Sequence, residues 1–94
     1  MRHGHLFNGG YMEVIKNPTT VKLLAQQLII ACDLYLSMQI SEKVLKDLIW
    51  YYGKYHGVKL FKAQELNATV INRIGKRRAD LVLRMLNEFQ VTML

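Results

Sequence analysis

From Val21 to Ser37 the apolar residues recur on a helical period. At about 100° per residue, Val21, Leu24, Leu28, Ala31, Cys32 and Tyr35 share one side, and Lys22, Gln26, Asp33 and Ser37 form a narrow opposite stripe. Leu23, Ile29, Ile30, Leu34 and Leu36 widen the apolar arc, so more than one neighbour must cover this helix, and it is the candidate central helix. Asn17-Pro18 supplies a start: Asn17 as N-cap would accept from the exposed N–H groups, and Pro18 at the first position lacks a donor that would otherwise be orphaned. Asp33 falls on the polar stripe and reads as a solvated surface carboxylate, not a catalytic one.

A second helix is predicted from Ser41 as N-cap, with Glu42 favourable in the first turn and Ile40 stapled against Leu45. Val44, Leu45, Leu48, Ile49, Tyr51, Tyr52 and Tyr55 form its buried side, and Gly57 is the expected left-handed residue that ends it. The next stretch reads as a connector, extended over Val58 to Phe61 and a helical turn over Lys62 to Leu66. Asn67 then caps a helix through Val70, Ile71 and Ile74. The apolar phase runs unchanged past Gly75 through Leu81, Val82, Met85, Leu86 and Phe89, so Gly75 either breaks this helix or sits inside it. The expected fold is all-α, a small orthogonal or bundle-like domain of three main helices, or four if the break is at Gly75.

Trp50 departs from this pattern. Helical spacing puts it among Lys43, Lys46, Asp47 and Lys54, away from the apolar face of its own helix. A large aromatic among cations can stack on nucleic acid, meet another copy of the protein, or lie under a neighbouring segment. Trp50, Lys46 and Lys54 are therefore the candidate interface residues.

The second candidate surface is a basic stripe. Arg73, Lys76, Arg77 and Arg84 line the side opposite the apolar arc of the last helical region, with Asp80 among them. Arg78 falls near the middle of the apolar arc, so it must snorkel, pair with a carboxylate such as Glu88 or Asp47, or project into a groove. The bland reading of Gly75-Lys76-Arg77-Arg78 is a solvated helix turn. The functional one is phosphate binding, with Gly75 admitting close approach and the cations neutralising phosphates. A helix-turn-helix alignment on Gly75 fits Val70, Ile74 and Leu81, but it puts Ile71 where a small residue belongs and Lys76 and Arg84 at apolar positions. Contact with the backbone of nucleic acid is thus favoured over base readout.

Ninety-four residues make one domain, and the net charge of +6 permits attraction to nucleic acid or anionic lipid without requiring either. One cysteine, Cys32, excludes an intramolecular disulfide framework and favours a reducing cytoplasm. The longest apolar run, Leu28 to Leu36, is broken by Asp33 and falls short of the roughly 20 residues a span requires, so no membrane span is expected.

Residues 1–11 have no helical or strand periodicity and read as a disordered leader, leaving residues 12–94 as the helical domain. Asn8-Gly9-Gly10-Tyr11-Met12 can be encoded with a purine-rich ribosome-binding sequence just before an ATG at Met12, which suggests that translation starts there. A natural N-terminal peptide containing Arg2 or His3 would contradict that start. His3 and His5 have no nearby third ligand, so no metal site is expected.

Catalytic chemistry has no visible seat. Cys32 lies among aliphatic residues, His56 reads as a satisfier of a helix C-terminus, and the carboxylates are scattered. No phosphate loop, Ser-His-Asp arrangement, cofactor motif or small-molecule site stands out.

The stretches NPTTVKLLAQQLIIACDLYL, ISEKVLKDLI, HGVKLF and INRIGKRRADLVLRML resemble short uncharacterised proteins of clostridia and related Gram-positive bacteria. That resemblance covers most of the chain from Met12 onward and implies no activity. The reading is a bacterial, non-enzymatic interaction module that forms homo-oligomers. The alternative is a nucleic-acid-binding protein using Arg73, Lys76, Arg77, Arg78 and Arg84.

Overall fold

The computed structural model describes the backbone of residues 14–93 and the side chains of residues 14–87. The leader, the start at Met12, and the side chains of His3, His5, Glu88 and Phe89 lie outside the described residues.

Helix α1 spans Val21–Leu36, and its N-cap is Thr20, not Asn17: the Thr20 hydroxyl accepts from the Leu23 N–H at 3.0 Å. Both residue types cap well, and a tertiary contact decides between them. Asn17 Oδ1 accepts instead from the Tyr51 hydroxyl and faces His56 Nε2, each at 2.9 Å. The segment before α1 is fastened along its length. The Ile15 N–H donates to Oε1 of the buried Gln27 at 2.9 Å, the Tyr52 hydroxyl donates to the Ile15 carbonyl at 2.6 Å, and Val14 is buried. Leu24, Leu28, Ala31 and Cys32 are fully enclosed, and α1 touches every other helix, as its wide apolar arc requires.

The exit from α1 is a Schellman turn built without glycine. Met38 takes the left-handed position at φ 67°, its N–H donates to the Tyr35 carbonyl at 3.0 Å, and the Gln39 N–H donates to the Leu34 carbonyl at 2.8 Å. Helix α2, Glu42–Tyr55, opens as expected, with the Ser41 hydroxyl accepting from the Val44 N–H at 3.2 Å. Its end differs from expectation. Among the described glycines only Gly75 has positive φ, and Gly57 begins a one-turn helix, α3, Gly57–Leu60. The His56 carbonyl accepts from the Lys59 and Leu60 N–H groups, so the chain bends into a new turn instead of terminating.

The connector is also the reverse of the sequence reading. Val58 to Leu60 is helical, and the following residues form an antiparallel hairpin of β1, Phe61–Lys62, and β2, Glu65–Leu66, with Phe61 opposite Leu66 and Lys62 opposite Glu65. Alternation explains the register: Leu66 is buried and Phe61 partly so, while Lys62 and Glu65 face solvent. The two-residue turn places Ala63 at φ 55° and Gln64 at φ 69°, both left-handed as a primed hairpin turn demands. Asn67 closes the hairpin, its N–H donating to the Leu60 carbonyl at 2.8 Å and its Nδ2 to the Lys59 carbonyl at 3.1 Å.

The same Asn67 caps α4, Ala68–Ile74, by accepting from the Thr69 N–H at 2.9 Å. Gly75, at φ 90° and ψ 157°, breaks the last helical region, and α5 runs Lys76–Met93. Gly75 donates to the Ile71 carbonyl and accepts from the Ala79 N–H, both at 2.9 Å, so one residue closes α4 and opens α5. The apolar phase survives because both helices lay the same side against the core: Val70, Ile74, Val82, Met85 and Leu86 join the buried residues of α1 and α2 in one cluster. The architecture is all-α apart from the hairpin.

Candidate interaction surfaces

Trp50 is half-buried, and its indole Nε1 donates to the Met85 carbonyl at 2.9 Å. The ring therefore lies against α5, which covers a second side of α2. Lys46 Nζ stands 5.9 Å from the Trp50 ring centroid, and Lys54 Nζ stands 5.3 Å from that of Tyr55. Of the three environments open to this tryptophan, the neighbouring segment accounts for its hydrogen bond and part of its burial. Trp50, Lys46 and Lys54 share the α2 surface beside α5, with Trp50 acting as a strut.

The basic stripe divides. Arg73 leaves the last turn of α4, and Lys76 and Arg77 begin α5; all three are exposed, as is Arg84 two turns further along. Lys76 is 3.5 Å from Asp80. Arg73, Arg77 and Arg84 have no carboxylate within ion-pair distance among the described residues. Arg78 belongs elsewhere. Its Nε and Nη2 donate to the two carboxylate oxygens of Asp33 at 2.9 and 3.1 Å, and its Nη1 donates to the Ile74 carbonyl at 2.8 Å.

This fork ties α5 to α1 and satisfies the C-terminus of α4, and the hydrogen bonds to Asp33 raise the guanidinium's pKa further. The partner is Asp33, not Asp47, which is held by Lys43 at 3.0 Å; the expectation of Glu88 falls on a side chain outside the described residues. Asp33 is half-exposed, yet it is an ion-pair partner as well as a solvated carboxylate. A seven-residue α4 joined to α5 by a single glycine also departs from a helix-turn-helix, whose turn takes about 3–4 residues.

One surface feature has no signal in the sequence. A cleft of about 650 Å³ opens between the hairpin, α4 and α5. Phe61, Leu66, Ile71, Leu83 and Leu86 supply its apolar lining, and Glu65, Asp80 and Arg84 stand among the polar lining residues. It exists because the hairpin turns back beside α5, and reading Lys62 to Leu66 as a helical turn hid that wall. A second recess lies at the α1–α2 turn beside Leu36, Ile40 and Met38, the last 89% exposed.

Cys32 and Tyr52 are both engaged in the core. Burial pushes the Cys32 thiol up to about 12, against a weaker opposing effect of Arg78. Burial also raises the Tyr52 hydroxyl, which is spent on the Ile15 carbonyl. Among the described residues no three His, Cys, Asp or Glu side chains gather as a metal site, and no helix is long and apolar enough to cross a membrane.

Residues 15–87 match the model of a family described as a conserved hypothetical protein and named after a Clostridium gene. The chain belongs to this family. The resemblance to clostridial proteins is borne out, and the matched span runs from the fastened N-terminal segment to the α5 wall of the cleft, so it includes each surface described above. No curated protein and no solved structure matches the chain.

Proposed function

We propose that the domain is a non-enzymatic interaction module that works by self-association. The observation that carries this reading is the cleft between the hairpin and α5, where apolar side chains from four elements face an opening. Leu83 on its wall is 44% exposed, and Glu65 and Arg84 border the apolar lining. The non-enzymatic part is supported by the pairing of three carboxylates, Asp33 with Arg78, Asp47 with Lys43 and Asp80 with Lys76, and by the enclosure of Cys32.

Trp50 gives less support than its sequence position suggested, because α5 already takes its indole N–H. Sedimentation equilibrium of the full chain from about 1 mM to about 1 μM spans the affinity range of such modules. A mass that rises with concentration is expected; a monomer throughout would contradict the proposal.

Nucleic-acid binding is the second reading, favoured by the exposed Arg73, Arg77 and Arg84, none of which has an ion-pair partner among the described residues. Under it, Arg77→Glu should weaken binding to a DNA duplex and flatten its salt dependence.

A further inference from the structure

The α5 wall of the cleft carries Asp80 and Arg84, and because Asp80 is paired with Lys76 at 3.5 Å, Arg84 is the cation left to face an occupant. Glu65 stands on the hairpin wall, and Arg84 stands on the α5 wall. Both are exposed, and neither has an ion-pair partner among the described residues, although Lys62 lies opposite Glu65 in the hairpin register. Between them lies an apolar lining that includes Phe61, Ile71 and Leu83. A surface with an apolar middle, an anion on one side and a cation on the other, neither ion-paired among the described residues, is complementary to itself.

We infer that the occupant is a second copy of this chain, docked cleft to cleft about a two-fold axis running along the cleft. This rests on the self-association reading above. Such an axis sets the hairpin wall of each protomer over the α5 wall of the other, so Glu65 of one meets Arg84 of the other, and the contact is made twice. Leu83, 44% exposed on the α5 wall, is then covered by the partner's hairpin wall, and the rim charges fix the register. The recess at the α1–α2 turn lacks this property, since Glu42 is its one ionised residue.

The test uses charge reversal in the full chain, read by sedimentation equilibrium. Glu65→Arg alone faces Arg84 twice, and Arg84→Glu alone faces Glu65 twice, so each should weaken the homodimer by about tenfold or more. An equimolar mixture of the two variants restores both attractive contacts and should form a heterodimer with affinity within about threefold of the unaltered protein. Glu65→Arg also places a cation opposite Lys62 in the hairpin, so helicity and the melting midpoint are measured for each variant. Leu83→Glu, on the exposed α5 wall, strikes the same contact without touching the hairpin and should also abolish the dimer.

Recovery in the mixture, with Leu83→Glu monomeric, supports the inference. A dimer indifferent to all three substitutions, or a mixture that does not recover, overturns the cleft as the contact while self-association stands. A chain that is monomeric before any substitution removes both.

Discussion

Cys32 and Arg78 lie on neighbouring helices, and each is held by its surroundings. The thiol has no exposed surface, and its pKa is pushed up to about 12 by burial, so almost none of it is thiolate at neutral pH. Native protein should therefore resist a thiol-specific disulfide reagent at pH 8 and react fully in denaturant; rapid native labelling would contradict the enclosed site. Arg78 spends its donors on Asp33 and the Ile74 carbonyl, leaving the stripe to Arg73, Lys76, Arg77 and Arg84. Periodicity did place Arg78 within an apolar arc, and pairing followed from that. Its partner was not legible, because the choice between Asp33, Asp47 and Glu88 depends on how α5 crosses α1, a tertiary fact. For Trp50 the environment was one of three that spacing left open, and the packing of α5 on α2 selected it.

Element boundaries followed local chemistry where the signal was strong. Ser41 and Asn67 cap α2 and α4 as their side chains predict, and the arcs of α1, α2 and α5 supply the core. Local signals failed where two segments competed for one role or where a special backbone conformation fell to an unusual residue. Asn17 and Thr20 are both good caps, and Met38, Ala63 and Gln64 occupy left-handed positions where glycine or asparagine would have announced a turn.

Gly75 is the position where backbone freedom is required. A Cβ there would meet nothing within 4 Å, so the obstacle to a side chain is its conformation near φ 90° and ψ 157°, a region almost confined to glycine. Gly75→Ala should therefore cost about 1–3 kcal/mol despite the open space. Urea unfolding measures this, and a neutral substitution would show that the α4–α5 junction relaxes freely.

Across the whole molecule, the segment from Val14 to Asn17 is secured to α1 and α2 by Gln27, Tyr51, Tyr52 and His56. The His56 ring faces Asn17 Oδ1 and the rings of Tyr51 and Tyr52, with Lys59 nearby. Burial first, and then Lys59, lowers its pKa below the usual 6.5. The folded state thus holds fewer protons than the unfolded one as pH falls past that value. Stability should be intact above about 6.5, decline as pH drops through the lowered folded value, and level off below it. His56→Gln should remove that part of the slope in urea titrations; an unchanged slope would assign it to other groups.

The cleft is the part of the molecule least legible in advance, since it needs the hairpin, α4 and α5 placed together. It also carries the central claim. The most direct measurement is the change in backbone amide shifts of the full chain on dilution. Concentration-dependent shifts should gather in residues 61–71 and 80–87, on the two walls of the cleft. Shifts gathered instead around Lys46, Trp50 and Lys54, around Leu36 to Ile40, or absent altogether would contradict it.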